Sequence, residues 1–156
     1  MTQASPADAG TRVQVRSRFA SADVDPADVL IFPDGLPGYE SAREFVLLDV
    51  PDQAPLKVLH AVSAPEPCFL VVDPTVVLPT YRCELAAADR LRLGARDDSA
   101  LVWLALVMVG TDGAVAVNLR APIVINPARM IARQVMPSAC LYPLRHVLGD
   151  PVDAWR

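Results

Sequence analysis

Residues 31–40 read IFPDGLPGYE: two prolines (Pro33, Pro37) and two glycines (Gly35, Gly38) fall within six positions, with Phe32, Leu36 and Tyr39 set among them. Proline fixes φ and glycine supplies the positive φ that other residues resist, so this is a tightly specified turn. Its apolar side chains must either dock or stand exposed. A second segment, NLRAPIVIN from Asn118 to Asn126, has the same character. Asn118 ends an alternating run, Arg120 and Pro122 break strand pairing, and Ile123, Val124 and Ile125 form a short buried strand closed by Asn126. Neither segment carries a nucleophile or a metal cluster, which points to recognition rather than catalysis.

Working outward, the 156 residues are one domain's length, 53% apolar and 21% charged. A domain of this size buries roughly 68–70% of its unfolded surface, enough for a core without staples. Fifteen prolines against seven glycines favour many short elements and exclude a helical bundle, because proline ends helices and is barred from central sheet positions. The expected class is mainly β, a small single-domain barrel or sandwich with one or two short helices. Residues 1–10 are expected to be a flexible tail, 11–148 the folded domain, and 149–156 a second tail.

The net charge of −4 disfavours nonspecific binding to phosphate backbones, which is driven by Lys and Arg. Residues 1–73 hold eleven acids and five bases, whereas 74–156 hold seven acids and nine bases. An acidic half can steer a basic partner, unless the halves intermingle in the fold. One lysine, Lys57, against thirteen arginines leaves little room for lysine-dependent catalysis. Cys68, Cys83 and Cys140 are odd in number and widely spaced, so reduced thiols are expected. With no secretory leader and no apolar run near the ~20 residues of a membrane helix, the expectation is a soluble cytoplasmic protein.

Strand signals recur with regular turn spacing: Arg12–Phe19 with Val13, Val15 and Phe19 on one face, then Val29–Phe32, Glu44–Val50, Leu56–Ser63, Cys68–Val72 and Tyr81–Leu85. Ala86–Leu93 is the best short helix, closed by Gly94. Ala100–Val109 is apolar on both faces and reads as a central, fully buried strand. Thr111-Asp112-Gly113 signals a hairpin, with Ala114–Val117 returning alongside. Asn126-Pro127 suits a helix start, yet Ala128–Val135 also suits a strand pairing back onto Ile123–Ile125, and we take it as the strand.

Chemistry-bearing patterns are sparse. His60 and His146 lack zinc-ligand spacing and read as structural. Asp73-Pro74 ends a strand, where the carboxylate can cap a turn. Cys68 reads as a small buried side chain. Phosphate-cradling glycine motifs and the basic, aromatic-interleaved surface of a single-strand binder are absent from the sequence. Two competing functions keep a sequence-level test. A small-ligand-binding barrel requires convergent polar residues inside apolar strands, for which His60 is the one candidate. An enzyme built on Asp73, His60 and Cys68 requires those side chains within hydrogen-bond reach of one another.

Taken in order, five motifs resemble the flagellar assembly factor FliW family over about residues 12–148. They are Phe32-Pro33-x-Gly35-Leu36-Pro37-Gly38-Tyr39-Glu40; Phe45-Val46-Leu47-Leu48; Phe69-Leu70-Val71-Val72-Asp73-Pro74 with Tyr81 following; Asn118-Leu119-x-Ala121-Pro122-Ile123-Val124-Ile125-Asn126; and Ala132-x-Gln134. Two positions depart from the family's usual glutamines, His60 within Leu59-His60-Ala61 and Arg120 after Asn118-Leu119. Polar contacts of those glutamines are therefore not carried over.

The resemblance implies a small single-domain antiparallel β-barrel-like fold over residues 11–148, without enzymatic activity, cofactor or metal. FliW-like proteins bind flagellin in the cytoplasm and, once free, bind CsrA, a small dimeric RNA-binding regulator. They lower its RNA affinity noncompetitively from a separate surface and so relieve repression of flagellin translation. The partners expected here are thus flagellin and CsrA, with no direct nucleic-acid or membrane binding and a monomeric chain. The expected partner-binding residues are Asp34, Tyr39 and Glu40 of the first segment and Asn118, Arg120 and Asn126 of the second. The bland alternative is that the prolines and glycines only fix turns and that Tyr39 is core.

Overall fold

The computed structural model describes residues 13–16, 21–62, 67–98 and 100–149. Ten strands lie in chain order: β1 (Val13–Arg16), β2 (Ser21–Val24), β3 (Leu30–Ile31), β4 (Glu44–Asp49), β5 (Lys57–Ala61), β6 (Cys68–Val72), β7 (Val102–Val109), β8 (Val115–Asn126), β9 (Ile131–Gln134) and β10 (His146–Gly149). Two short helices, α1 (Pro74–Val77) and α2 (Ala87–Arg92), connect β6 to β7. Hydrogen bonding runs β8-β7-β6-β5-β4-β3-β9 and closes through β8–β9, which makes a closed barrel. Closure leaves no bare sheet edge along the ring's paired segments. The mainly β, barrel-like class with short helices is the observed one. Its neighbours are antiparallel except at the β3–β9 seam, where Ile31 lies parallel to Ile131.

Side-chain alternation divides the apolar residues between the inside and three outer layers. Leu30, Phe32, Phe45, Leu59, Val71, Leu104, Ile123 and Ile125 fill the interior. Outside, β1 and β2 pack Val15 and Val24 onto Val46, which explains why every residue of β5 after Lys57 is buried. Tyr81 and Tyr142 cover Val72, Ala105, Val117 and Leu119. Leu85 and Leu93, flanking α2, cover Val124.

Several expectations change at element level. Tyr81–Leu85 is irregular rather than a strand, because its side chains are spent on the outer layer and not on pairing. β7 is not buried throughout: Val102, Met108 and Val109 are exposed at its two ends, since the covering helix and loop segments reach only its middle. α1, β2 and β10 were not anticipated, each being four residues outside any longer alternating run. Residues 127–130 form a turn with Met130 at φ +53°, and β9 then pairs back as Ile123↔Gln134 and Ile125↔Ala132. Asp73 accepts from Thr75 N at 2.8 Å and so starts α1. Gly94, at φ +68°, ends α2, and Gly113, at φ +83°, shapes the β7–β8 hairpin.

The cysteines need correction. Cys83 and Cys140 form a disulfide between residues 57 apart in sequence, and Cys68 is the free cysteine among the described residues. Sequence spacing could not show this pair, because the Tyr81–Leu85 segment and the approach to β10 meet only over the folded β8. Phe19, the tail presumed at 1–10, residues 150–156 of the tail presumed at 149–156, and Ser63 fall outside the described residues, while Gly149 ends β10 opposite Val115.

Candidate functional site

The first segment is a turn held from both sides. Its Leu36-Pro37-Gly38-Tyr39 core closes through Tyr39 N–H donating to Leu36 O at 2.7 Å, with Gly38 at φ +85°, the geometry proline followed by glycine prefers. Gly35, at φ +66°, has no room for a side chain: a Cβ there would lie 2.7 Å from Glu40 Cα and from Glu40 O. Phe32 and Leu36 dive into the barrel interior, and Phe32 meets Phe45 edge-on at 4.9 Å between centroids. Arg43 clasps the outside, donating from Nε to Glu40 O at 2.7 Å and from Nη1 to Pro33 O.

What this construction leaves outside is a small acidic and aromatic surface. Tyr39 is 46% exposed and rests edge-on against Phe69 at 5.4 Å, so it is neither core nor loose. Glu40 is fully exposed, and its Oε2 accepts from Gly38 N–H at 2.9 Å. That backbone hydrogen bond, more than any other influence, holds the carboxyl below its ordinary pKa, because a donated N–H favours the charged form. Asp34 pairs with Arg133 of β9. The Arg133 side chain is mostly buried while Asp34 is 68% exposed, so the acidic first half and the basic second half of the sequence intermingle here.

The second segment spends its polar groups internally. β7 and β8 pair from Val109↔Val115 to Leu106↔Asn118 and again from Leu104↔Ile123, so residues 119–122 bulge opposite Ala105. Arg120 and Pro122 break the pairing as their residue types predict. Asn118 Oδ1 accepts from Arg120 N–H at 3.1 Å and from Ala121 N–H at 2.9 Å, so the amide replaces the ladder partners the bulge has lost. Gln134 Nε2 donates to Ala121 O at 3.1 Å, Tyr81 O–H to Leu119 O at 2.8 Å, and Arg120 Nε to Tyr142 O at 2.7 Å. Burial, and after it the charge of Tyr142, pushes the Tyr81 phenol up to about 12. Asn126 is 4% exposed; its amide donates to Leu93 O at 2.8 Å and accepts from Ala128 N–H at 3.1 Å.

The six candidates therefore separate. Asp34, Tyr39 and Glu40 share one exposed turn, whereas Asn126 lies inside the fold and Asn118 and Arg120 are half-buried and engaged with their own chain. Sequence reasoning missed Arg43 and Arg133, which fix the acidic turn. Arg43 follows Glu40 by three residues and was in principle legible, but Arg133 lies 99 residues from Asp34 and left no signal. The residues of the enzymatic alternative do not assemble. His60 faces Cys68 across β5 and β6, yet Asp73 follows the far end of β6, about 16 Å along the strand, with its carboxylate on Thr75. Among the described residues no group of three or more His, Cys, Asp or Glu side chains is placed to hold a metal, and no helix is long and apolar enough to cross a membrane.

The sequence model of the FliW protein family matches residues 14–148. This chain belongs to the FliW family. A flagellar assembly factor FliW of Moorella thermoacetica is 33% identical over 135 residues, covering 85% of both chains. One from Syntrophotalea carbinolica is 34% identical, covering 86% of this chain and 96% of the relative. A crystal structure of a flagellar assembly factor FliW superposes with a TM-score of 0.78 at 25% identity, over 85% of this chain and 94% of that one. The FliW likeness thus spans the barrel, both punctuated segments and β10.

Proposed function

We propose that this chain is a cytoplasmic, non-enzymatic flagellar assembly factor that binds flagellin and, when released from it, binds CsrA and lowers CsrA's affinity for flagellin mRNA without touching the RNA itself. Family membership across residues 14–148 carries this reading, and the exposed acidic turn supplies a place for it. Partner exchange needs mutually exclusive protein contacts and no bond chemistry, in keeping with a site made of an aromatic anchor and two carboxylates.

Tyr39 offers a rigid, amphipathic ring already propped on Phe69, so little side-chain entropy is lost when a partner covers it. Glu40 is pre-oriented by Gly38 N–H and stays ionised through the physiological range. An RNA-binding partner is basic, so Glu40 and Asp34 would steer the encounter and the association would weaken as salt is raised. Asn118, Arg120 and Asn126 bond to their own chain instead and hold the bulge and the end of β8. By linkage, RNA bound to CsrA lowers CsrA's affinity for this chain by the same factor.

Size-exclusion chromatography of the protein mixed with CsrA and, separately, with flagellin from the same organism tests the proposal. Co-elution with each at low salt is expected, together with competition between the two. Co-elution with neither would refute it.

A further inference from the structure

At the end of β4 away from the acidic turn the barrel mouth is open. β4 runs from Glu44, beside the turn, to Asp49, a distance of about 17 Å at the usual rise per residue. Next to Asp49 lies a cleft of about 760 Å³ walled by Leu47, Leu56, Val102, Trp103 and Leu104. It exists because two neighbouring strands part there. β6 pairs with β7 down to Val72↔Ala105, after which Asp73 turns the chain into α1, while β7 continues beside β8 to Val102↔Ile125.

Val102–Leu104 thus have a strand on one side and, among the described residues, none on the other. The hairpin bond from Gly110 N–H to Ala114 O sets the alternation of β7: even-numbered residues direct their backbone groups at β8 and odd-numbered ones at β6. Trp103 therefore aims its N–H and C=O at the place β6 has vacated. Val102, on the opposite face from the Trp103 side chain, is 40% exposed in the cleft mouth.

The charge around this opening has one sign in excess. Asp49, Asp52 and Asp73 rim it against Lys57 alone, and Lys57 is already paired with Asp49. We propose that the cleft is a second docking surface, which takes a short extended segment of a partner protein carrying apolar residues beside Lys or Arg. The segment adds a strand along Trp103, buries its apolar side chains against Leu47, Leu56 and Val102, and sets its cation near Asp52. Main-chain pairing gives such a site affinity and the flanking pockets give it selectivity. The acidic turn and the cleft are then separate handholds at opposite ends of β4.

The test is an amide-shift NMR titration with a synthetic peptide of about seven residues alternating Val and Lys, beside the same peptide with Glu in place of Lys. The expected result is shifts centred on Val102–Leu104 and Gln53–Lys57 with the Lys peptide and none with the Glu peptide. Val102→Arg, at an exposed position that leaves the core intact, should weaken the Lys peptide about tenfold, and Asp52→Asn about threefold. Shifts centred on Tyr39, equal binding of both peptides, no binding, or an unchanged affinity in Val102→Arg of parental melting temperature would each overturn the proposal. So would sedimentation showing that Val102→Arg dissolves a self-dimer, which would make a second copy the occupant. None of these outcomes bears on co-elution with flagellin or CsrA.

Discussion

The Ile31–Glu40 turn and the Asn118–Asn126 strand look alike in sequence, each apolar and each broken by proline, yet they end in opposite states. In the turn, glycine geometry, Arg43 and the Glu40 carboxylate satisfy the backbone, and Tyr39, Glu40 and the Arg133-paired Asp34 still face solvent. In the strand, the side chains themselves do the satisfying. Asn118 bonds the bulge, Asn126 bonds Leu93 and Ala128, and Arg120 bonds Tyr142. Where glycine geometry and exposed side chains close a motif, those side chains still face a partner; where buried or half-buried side chains close it, they are consumed by the fold.

The largest expected effect tests how firmly the second region is fastened. Reducing the Cys83–Cys140 disulfide, or replacing Cys83 by Ser, should lower unfolding free energy by up to about 4 kcal/mol in urea titrations, given the 57-residue span it closes. Little change would mean that the outer layer over β8 is held by packing alone. Next comes the first region: Gly35→Ala must place a Cβ at φ +66° and 2.7 Å from Glu40 Cα, and should cost about 2–3 kcal/mol. Loss of partner binding beyond that explained by unfolding would show that the turn's shape presents the site.

Asn118→Ala strands two N–H donors in the bulge and should cost about 1–2 kcal/mol, while leaving partner affinity within a factor of about two if the contrast between the regions holds. Tyr81→Phe removes the bond to Leu119 O and should cost about 1 kcal/mol at neutral pH. Its pH dependence carries a sign. The folded phenol titrates at about 12, above its unfolded value, so its stabilising effect is complete below about pH 10 and is lost as the pH rises toward 12. The Phe variant should show no such loss from this group.

Residue types settled a mainly β architecture and its turns, though not its closure into a barrel, because each turn has a local cause. Pro37-Gly38, Asp112-Gly113, Gly94 and Asp73-Pro74 all act within a few residues of themselves, and the bulge was legible in Arg120 and Pro122. What stayed hidden depends on distant residues. The Cys83–Cys140 and Asp34–Arg133 pairs join residues 57 and 99 apart in sequence, and the exposure of Val102 follows from where β6 stops rather than from its own apolar neighbourhood. In the candidate site, exposure and burial divided Tyr39 and Glu40 from Asn126, and neither property was written in the local pattern.

The smallest effect on stability should come from the residue with the greatest expected consequence for binding. Glu40 is fully exposed, with one hydrogen bond to its own turn, so Glu40→Lys should leave the melting temperature nearly unchanged. Isothermal titration of this variant against flagellin and against CsrA, at low salt, tests whether the acidic turn is the partner surface. At least about a tenfold loss of affinity for CsrA is expected, with the loss shrinking as salt is raised. Unchanged affinity for both partners in a fully folded Glu40→Lys protein would contradict that reading.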